Sequence, residues 1–152
     1  MHIFRSAGIV AGTMAFIGST HALSLSSPAF DNGATIPNAF TYSMGGQCSG
    51  ANQSPPLVFA QVPAGTQSLA LMVVDPDGGN WLHWKAWNIA PTVTAFAANA
   101  AATANFSQAA NDFGTAGYGG PCPPTPNHRY IFTLYALNTS FSAEPSASQL
   151  QA

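Results

Sequence analysis

The chain has 152 residues and a formal net charge of −2, and only 5% of its residues are charged. This length fits one domain with a single hydrophobic core. Beyond residue 22, Lys85 and Arg129 are the fixed cations against five carboxylates, a net charge of −3. A surface with two cations has no basic patch for a phosphate backbone, so we expect no nucleic-acid partner.

The N-terminus has the layout of a secretory signal peptide. A short positive region at residues 1–5 precedes an apolar run from Ala7 to Gly18, and small residues stand one and three positions before Leu23. The alternatives are a membrane anchor or a buried helix, but these 12 residues are fewer than the roughly 20 that span a bilayer. We therefore predict a signal peptide at residues 1–22 and one domain at 23–152, secreted or periplasmic, with no transmembrane segment after signal removal.

The rest of the chain consists of short apolar runs separated by turn-forming residues, which favours a mainly β fold. Strands are predicted at Ser68–Val74, His83–Ile89 and Arg129–Leu137, with weaker candidates at Ala39–Ser43 and Pro56–Ala60. The stretch from Thr92 to Ala110 reads as a surface loop with one helical turn, and a Gly/Pro-rich loop follows at Gly114–Pro126. The pattern predicts a β-sandwich or a partly open barrel with long loops.

The chain contains two cysteines, Cys48 and Cys122. An exported protein meets an oxidising compartment, in which two thiols either pair or remain free. Neither cysteine belongs to a C-x-x-C motif or to a Cys/His cluster with ligand spacing, so we expect no metal site.

Polar residues suited to ligand binding follow the most apolar predicted strand. Asp75 and Asp77 flank a proline there, and His83 comes soon after them. Farther along lie the glycine-rich segment Gly117–Pro124 and the group His128–Tyr130. Glycines let backbone N–H groups approach an anion closely, so these segments together are suited to an oxyanion nest. The alternative for the first segment, from Asp75 to His83, is an acidic turn with a surface histidine. The alternative for the glycine-rich segment and the His128–Tyr130 group is a tight hairpin connection.

Five further sequence blocks lie in order over about residues 27–137: C-S-G-A-N-Q-S-P-P-L (Cys48–Leu57), D-P-D (Asp75–Asp77), H-W (His83–Trp84), N-D-F-G-T-A-G-Y-G-G-P-C-P-P (Asn111–Pro124) and H-R-Y-I-F-T-L-Y-A-L (His128–Leu137). Taken together and in this order, they resemble the phosphatidylethanolamine-binding protein (PEBP) family in its bacterial Raf-kinase-inhibitor-like branch, the YbhB/YbcL type. The resemblance implies a PEBP-like β-sandwich with little helix and one shallow pocket for phosphate-like anions.

The resemblance also assigns roles to residues. The implied ligand-binding residues are Asp75, His83, Gly120, Pro121, Cys122, His128 and Tyr130. Asp77, Arg129 and Trp84 are expected to support them structurally, with Asp77 and Arg129 as an ion pair. Because Cys48 and Cys122 fall in two motif loops, both are expected to border the pocket, either as a disulfide or as free thiols.

The chain departs from the family pattern after Leu137. Bacterial members usually continue with a helix and a final strand that pack beside the pocket, whereas residues 138–152 form a divergent Ser/Gln-rich tail. We therefore expect this helix and strand to be missing or shortened, with a less stable fold or a more open site.

Three functional classes are compatible with these residues. We favour a binding protein for a small anion, a phosphomonoester or a phospholipid head group, without catalytic residues, metal or other cofactor. The alternatives are a secreted inhibitor that contacts an unidentified kinase or protease, and a hydrolase in which His83 or His128 is the general base and Asp75 orients it. The sequence lacks a G-x-S-x-G nucleophile motif, which counts against the hydrolase.

Overall fold

The computed structural model describes the backbone of residues 3–7, and it describes residues 22–45, 48–124 and 127–151. These residues form a mainly β structure, which confirms the predicted fold class. The strands are β1 (Ile3–Ala7), β2 (Ser24–Ser26), β3 (Leu57–Ala60), β4 (Ser68–Asp75), β5 (Trp81–Ile89), β6 (Ala95–Phe96), β7 (Ser107–Gln108) and β8 (Ile131–Leu137). Helical structure in the described residues comprises two short 3-10 turns, Asn38–Phe40 and Ala100–Thr103, and the one-turn helix α1 (Ala147–Leu150).

The strands form two sheets. The larger sheet has the order β1-β8-β4-β5-β7, and the smaller has the order β2-β3-β6. All pairs are antiparallel except β1 with β8, which is parallel. The two central strands, β4 and β8, are apolar and rich in β-branched or aromatic residues, as strands buried on both faces usually are.

The main core lies between the two sheets. Trp84, Phe132 and Leu134 of the larger sheet are fully buried there, and Leu57 and Phe59 approach them from the smaller sheet. Burying a side chain of this size stabilises the fold by about 1.5–3 kcal/mol. This core fixes the positions of β4, β5 and β8, whose ends carry the candidate site.

The outer face of the larger sheet is covered by the C-terminal segment. Leu150 of α1 and Phe141 pack against a second apolar cluster that includes Trp87 and Tyr135. The Asn88 side chain donates to the Phe141 carbonyl at 2.7 Å and accepts from the Phe141 N–H at 2.9 Å. A helix and a final strand after Leu137 were expected to be missing or shortened. The described residues there form one short helix, α1, which packs on the sheet.

One weak strand prediction, Ala39–Ser43, is wrong. The Phe40 N–H donates to the Pro37 carbonyl at 3.0 Å and closes a 3-10 turn, which directs the Phe40 ring into the core. The alternation of residue types did not reveal this turn, because a buried aromatic side chain is equally compatible with a strand. The loop predicted at Thr92–Ala110 contains the expected helical turn, but also the two-residue strands β6 and β7.

Most of the predicted signal peptide, residues 1–22, lies outside the described residues, and its cleavage stays a prediction. Besides Ala22, the described part of it is the backbone of Ile3–Ala7, which forms the edge strand β1. No helix within the described ranges combines the length and the apolar character required to span a bilayer.

Candidate functional site

Three chain segments meet at one edge of the larger sheet. Asp75 is the last residue of β4, and Val74 just before it pairs with Leu82 of β5 and with Ile131 of β8. Because both neighbouring strands are antiparallel to β4, the end of β4 lies beside the beginnings of β5 and β8. This topology brings Asp75, His83 and the segment His128–Tyr130 together.

Asp75 is a buried carboxylate at the centre of this corner. Its Oδ1 atom accepts from the N–H groups of Asp77 at 2.9 Å and Gly78 at 2.8 Å. Its Oδ2 atom accepts from His128 Nδ1 at 2.7 Å. Buried carboxylates need such donors, since an unpaired one costs several kcal/mol. Asp75 therefore holds the turn after β4 and orients the His128 ring.

His83 is buried and has a fixed tautomer. Its Nδ1 atom lies 2.6 Å from the Gly119 carbonyl oxygen, and a carbonyl can only accept, so Nδ1 carries the proton. Burial lowers the pKa of His83 below its usual value of 6.5, although the bond to Gly119 acts in the opposite direction. At neutral pH, Nε2 of this ring is therefore an acceptor, and it becomes a donor only under more acidic conditions.

Tyr130 lies against His83, with ring centroids 5.1 Å apart in an edge-to-face arrangement. Burial, followed by the nearby charges of Asp75 and Asp77, raises the pKa of the Tyr130 phenol well above 10. Its hydroxyl thus remains protonated throughout the physiological range, so it can donate a hydrogen bond to an anion.

Asp77 and Arg129 form the expected ion pair. Arg129 Nη2 donates to Asp77 Oδ1 at 2.6 Å, and Arg129 Nε donates to Asp77 Oδ2 at 3.0 Å. The backbone N–H of Arg129 also donates to Asp77 at 2.8 Å. Hydrogen bonding to Arg129 holds the pKa of Asp77 far below its usual range. The pair ties the turn after β4 to the segment before β8, and so supports the corner from outside.

These residues open into a cavity of about 710 Å³, which we call the main cleft. Of the predicted site residues it is lined by Asp75, Asp77, His83, Cys122, His128 and Tyr130. Its remaining lining residues are Met44, Gly78, Trp81, Asp112, Phe113, Pro123 and Pro124. The main cleft therefore combines a polar floor with largely apolar walls, as small-molecule sites often do.

A smaller cavity of about 320 Å³, the side recess, adjoins the main cleft. Pro123, His128 and Tyr130 line both cavities, and Pro121 lines the side recess alone. Pro121 is thus near the site, although it does not face the main cleft as predicted.

Gly120 does not line either cavity. Its N–H donates to Asn52 Oδ1 at 2.7 Å, so it is committed within the protein. A Cβ atom at this position would lie 2.4 Å from the Phe40 carbonyl oxygen, so glycine is required there for close packing. The predicted anion-binding role of the Gly120 N–H is therefore corrected to a packing role.

Trp84, predicted to support the site, has its side chain in the core and lines neither cavity, and its supporting role stays a prediction. It is fully buried, and its Nε1–H donates to Gln108 Oε1 at 2.6 Å. That bond joins β5 to β7 and helps to hold the strand that carries His83.

A disulfide joins Cys48 to Cys122, with their Cα atoms 5.8 Å apart. Cys122 lines the main cleft and Cys48 lines the side recess, so the bond lies at the boundary of the two cavities. The Met44 N–H donates to the Cys48 carbonyl at 3.0 Å. The disulfide thereby fixes the loop that brings Met44 to the rim of the main cleft.

Sequence reasoning missed the aromatic wall of the main cleft. Phe113 stacks on Tyr42 with ring centroids 4.2 Å apart, and it contacts Trp81 and His83 edge-to-face at 5.5 Å. The Asn111 side chain holds this loop, since its Oδ1 accepts from the Phe113 N–H at 3.0 Å. An aromatic residue in the N-D-F-G block was the available signal. Nothing local predicted that Tyr42 would stack on it.

Asp112 adds a third carboxylate to the cleft lining besides Asp75 and Asp77. Its Oδ2 atom accepts from the Leu82 N–H at 2.6 Å. Among the described residues, no group of three or more His, Cys, Asp or Glu side chains is placed to hold a metal ion. The absence of a cofactor stays a prediction.

Comparison with known proteins identifies the family. The sequence model named phosphatidylethanolamine-binding protein matches residues 26–152. A UPF0098 protein of Chlamydia pneumoniae is 43% identical over 136 residues, which cover 85% of each chain. A Mycobacterium tuberculosis protein named "Putative lipoprotein LppC" is 42% identical over 134 residues, covering 86% of this chain and 63% of that protein.

A solved structure agrees with this assignment. The crystal structure of Escherichia coli YbcL, described as a member of the mammalian PEBP family, matches with a TM-score of 0.72 and 36% identity. The match covers 82% of each chain. The chain therefore belongs to the phosphatidylethanolamine-binding protein family, and its relatives include bacterial proteins of the YbcL type.

Proposed function

We propose that this protein binds a small ligand through a singly charged, phosphate-like group placed among His83, His128 and Tyr130. Phosphodiesters, protonated phosphomonoesters and phospholipid head groups share this chemistry. The observation that carries the proposal is the pair of oriented histidines, one fixed by Asp75 and the other by the Gly119 carbonyl.

The charges of the main cleft favour a monoanion over a dianion. Three carboxylates line the cleft, and like charges repel in a partly buried site. Each carboxylate already accepts hydrogen bonds: Asp75 from two N–H groups and His128, Asp77 from Arg129, and Asp112 from Leu82. This internal pairing weakens the repulsion without removing it.

We expect the affinity to be modest. Hydrogen bonds to a charged group contribute about 1.5–3 kcal/mol each, and the ordering of the ligand offsets part of that gain. A Kd between about 1 mM and 1 μM corresponds to about −4 to −8 kcal/mol. Contacts of an apolar ligand segment with Trp81 and Phe113 would raise the affinity further.

The lining of the main cleft favours binding over covalent catalysis. None of the described residues that line it is a serine or threonine, and its cysteine, Cys122, is in the disulfide. His128 oriented by Asp75 resembles the base and orienting residue of a hydrolase, so a direct hydrolysis assay is worthwhile. We expect no turnover of phosphomonoesters or simple carboxylic esters beyond that of a His128→Ala control.

A second candidate function is the modulation of a partner protein. Met44 and Trp81 line the main cleft and are 47% and 40% exposed, respectively. Exposed large apolar side chains are common at interaction sites. Under this alternative, Trp81→Ala would abolish capture of a partner from extracytoplasmic extract, while phosphodiester binding would be retained.

We also propose an exported location. The predicted signal peptide supports it, and so does the name of the mycobacterial relative LppC, which describes a lipoprotein.

The proposed ligand site is tested by titration with a simple phosphodiester, whose single charge does not change between pH 5.5 and 8. We expect tighter binding at pH 5.5, because a bound anion favours the protonated form of His83, which then adds a donor. We expect a loss of about 1–3 kcal/mol for His83→Ala or His128→Ala. The matched control pair is Tyr130→Phe, which should weaken binding, and Tyr135→Phe, which alters the outer-face cluster and should not. NMR shifts that are indifferent to pH and to these site variants would contradict the proposal.

A further inference from the structure

The side recess and the main cleft share two of the residues proposed to hold the anion. His128 and Tyr130 line both cavities, together with Pro123. The disulfide lies at the boundary, because Cys122 lines the main cleft and Cys48 lines the side recess. An anion held by His128 and Tyr130 is therefore next to both cavities.

The two cavities differ in chemistry. Among the described residues that line the side recess, His128 has the only side chain that can carry a charge near neutral pH. The recess is rich in neutral side chains that both donate and accept hydrogen bonds, namely Thr35, Asn38, Thr41, Ser49 and Asn127. The main cleft has three carboxylates and the apolar side chains of Met44, Trp81 and Phe113. The recess thus suits a neutral hydroxylated group, and the walls of the main cleft suit an apolar one.

The polar groups of the side recess are held in place and keep spare hydrogen-bonding capacity. Asn38 Nδ2 donates to the Ser49 carbonyl at 3.3 Å, and the Thr41 hydroxyl donates to the Asn38 carbonyl at 2.9 Å. An amide NH₂ has two donors and a hydroxyl oxygen has two lone pairs, so both side chains can bond further partners. A Cβ atom on Gly50 would lie 2.0 Å from the Thr41 carbonyl oxygen, so these two loops are in close contact. The recess is therefore a preformed polar surface, as small-molecule sites usually are.

We propose that the side recess binds a neutral hydroxylated group, about the size of glycerol, on a phosphodiester whose other substituent is apolar and occupies the main cleft. The phosphate lies beside His128 and Tyr130, so this inference rests on the function proposed above and specifies its ligand class. A phosphodiester has two ester oxygens on a tetrahedral phosphorus, and they direct its two substituents apart. One diester can therefore fill both cavities, whereas a monoester can fill only one of them.

The cavity volumes and the charge of the chain agree with this ligand class. The side recess, at about 320 Å³, accommodates a group of the size of glycerol, and the main cleft, at about 710 Å³, accommodates a larger one. Such a diester is either a soluble molecule or the head group of a glycerol-containing phospholipid. The chain has a formal net charge of −2 and only three Lys and Arg residues, so it is poorly suited to an anionic membrane surface. We therefore assign the ligand to a soluble phosphodiester.

The test compares three soluble phosphodiesters by calorimetry with the full chain: methyl phenyl phosphate, propyl phenyl phosphate and glyceryl phenyl phosphate. All three carry one negative charge, and the propyl and glyceryl esters differ only by two hydroxyl groups. We expect the glyceryl ester to bind about fivefold or more tightly than the propyl ester, since each neutral hydrogen bond contributes a net gain. A glyceryl ester that binds no more tightly, while the methyl ester still binds, would overturn this inference and leave the proposed function intact. Absence of binding by all three esters would overturn both.

Vesicles of phosphatidylglycerol distinguish a soluble ligand from a lipid, because they present the same glyceryl phosphodiester at a membrane surface. We expect the protein to remain in the supernatant when these vesicles are sedimented, while it binds soluble glyceryl phenyl phosphate. Co-sedimentation that an excess of glyceryl phenyl phosphate reverses would still support the side recess as the glyceryl site, but would assign the ligand to a lipid.

Matched variants locate the hydroxyl groups of the ligand. Thr35→Val removes a hydroxyl from the side recess, and Ser49→Phe fills the recess. Thr92→Val and Ser140→Phe make the same changes at exposed residues that line neither cavity. We expect the preference for the glyceryl over the propyl ester to fall about two- to tenfold in Thr35→Val and to vanish in Ser49→Phe. Both control variants should keep it.

Binding of methyl phenyl phosphate shows that each variant is folded and retains the anion site. If Ser49→Phe does not bind this ester, Thr35→Val decides the matter, because an exposed threonine replaced by valine leaves the packing of the core unchanged. A glyceryl preference that survives in every folded recess variant would place the hydroxyl groups elsewhere and overturn the proposal.

Discussion

Asp75 illustrates how one side chain can organise a site through the hydrogen bonds that it accepts. Its carboxylate accepts from the Asp77 and Gly78 N–H groups and from His128, which accounts for most of its acceptor capacity. A Cβ atom on Gly78 would lie 2.8 Å from Asp75 Oδ2, so the turn requires a glycine at this position. We interpret Asp75 as a positioning residue for His128 within the proposed ligand site.

At the residue scale we predict that His83 makes stability depend on pH. Its pKa is lowered by burial in the folded state, so below pH 6.5 the unfolded chain takes up a proton that the folded chain does not. The free energy of unfolding should therefore fall as the pH decreases below about 6.5. His83→Gln should show a smaller decrease in urea unfolding measured at pH 7.5 and 5. Equal decreases for both proteins would show that His83 is not the group responsible.

At the element scale, the disulfide connects two loops that are also joined by a hydrogen bond from the Tyr42 N–H to the Pro121 carbonyl at 3.0 Å. Cys48 and Cys122 are 74 residues apart in sequence, and the bond restrains the Met44 side of the main cleft. It also stands next to Pro121 and Pro123, which line the two cavities. Stability and ligand affinity are thus expected to depend on the same covalent bond.

We predict that removing this bond destabilises the fold and weakens ligand binding together. Closing a loop of this length contributes about 4 kcal/mol in the chain-entropy model, and measured effects are often about 2–4 kcal/mol. The Cys48→Ser, Cys122→Ser double variant should show a loss of this size in urea unfolding and weaker phosphodiester binding. Reduction of the unmodified protein should add about two hydrogens in mass, one at each sulfur. No mass change on reduction would mean that the thiols are free.

At the scale of the whole molecule, β1 belongs both to the predicted signal peptide and to the larger sheet. The same segment is predicted to direct secretion and is observed to cover the edge of β8. The small number of charges means that solubility depends on polar side chains and on the covering of apolar edges. Processing of the leader would therefore change the surface of the folded domain as well as its location.

We predict that the exported protein begins at Leu23. The signal-peptide layout places cleavage after Ala22, and the described core is built from residues beyond that point, from Leu23 to Leu150. Intact-mass measurement and N-terminal sequencing of protein from the extracytoplasmic fraction provide the test. Full-length protein found only in the cytoplasm would contradict the prediction.

The sequence by itself determined the mainly β fold, the family, and the convergence of Asp75, His83 and His128. Each depends on a local signal: an apolar strand, a polar motif at its end, or a block in the family order. Only the tertiary structure decided that the Gly120 N–H is bound by Asn52, that Phe113 stacks on Tyr42, and that β1 pairs with β8. These contacts join residues 68, 71 and about 128 positions apart. Such contacts depend on how the sheets and loops pack, which the residue pattern of a single segment does not specify.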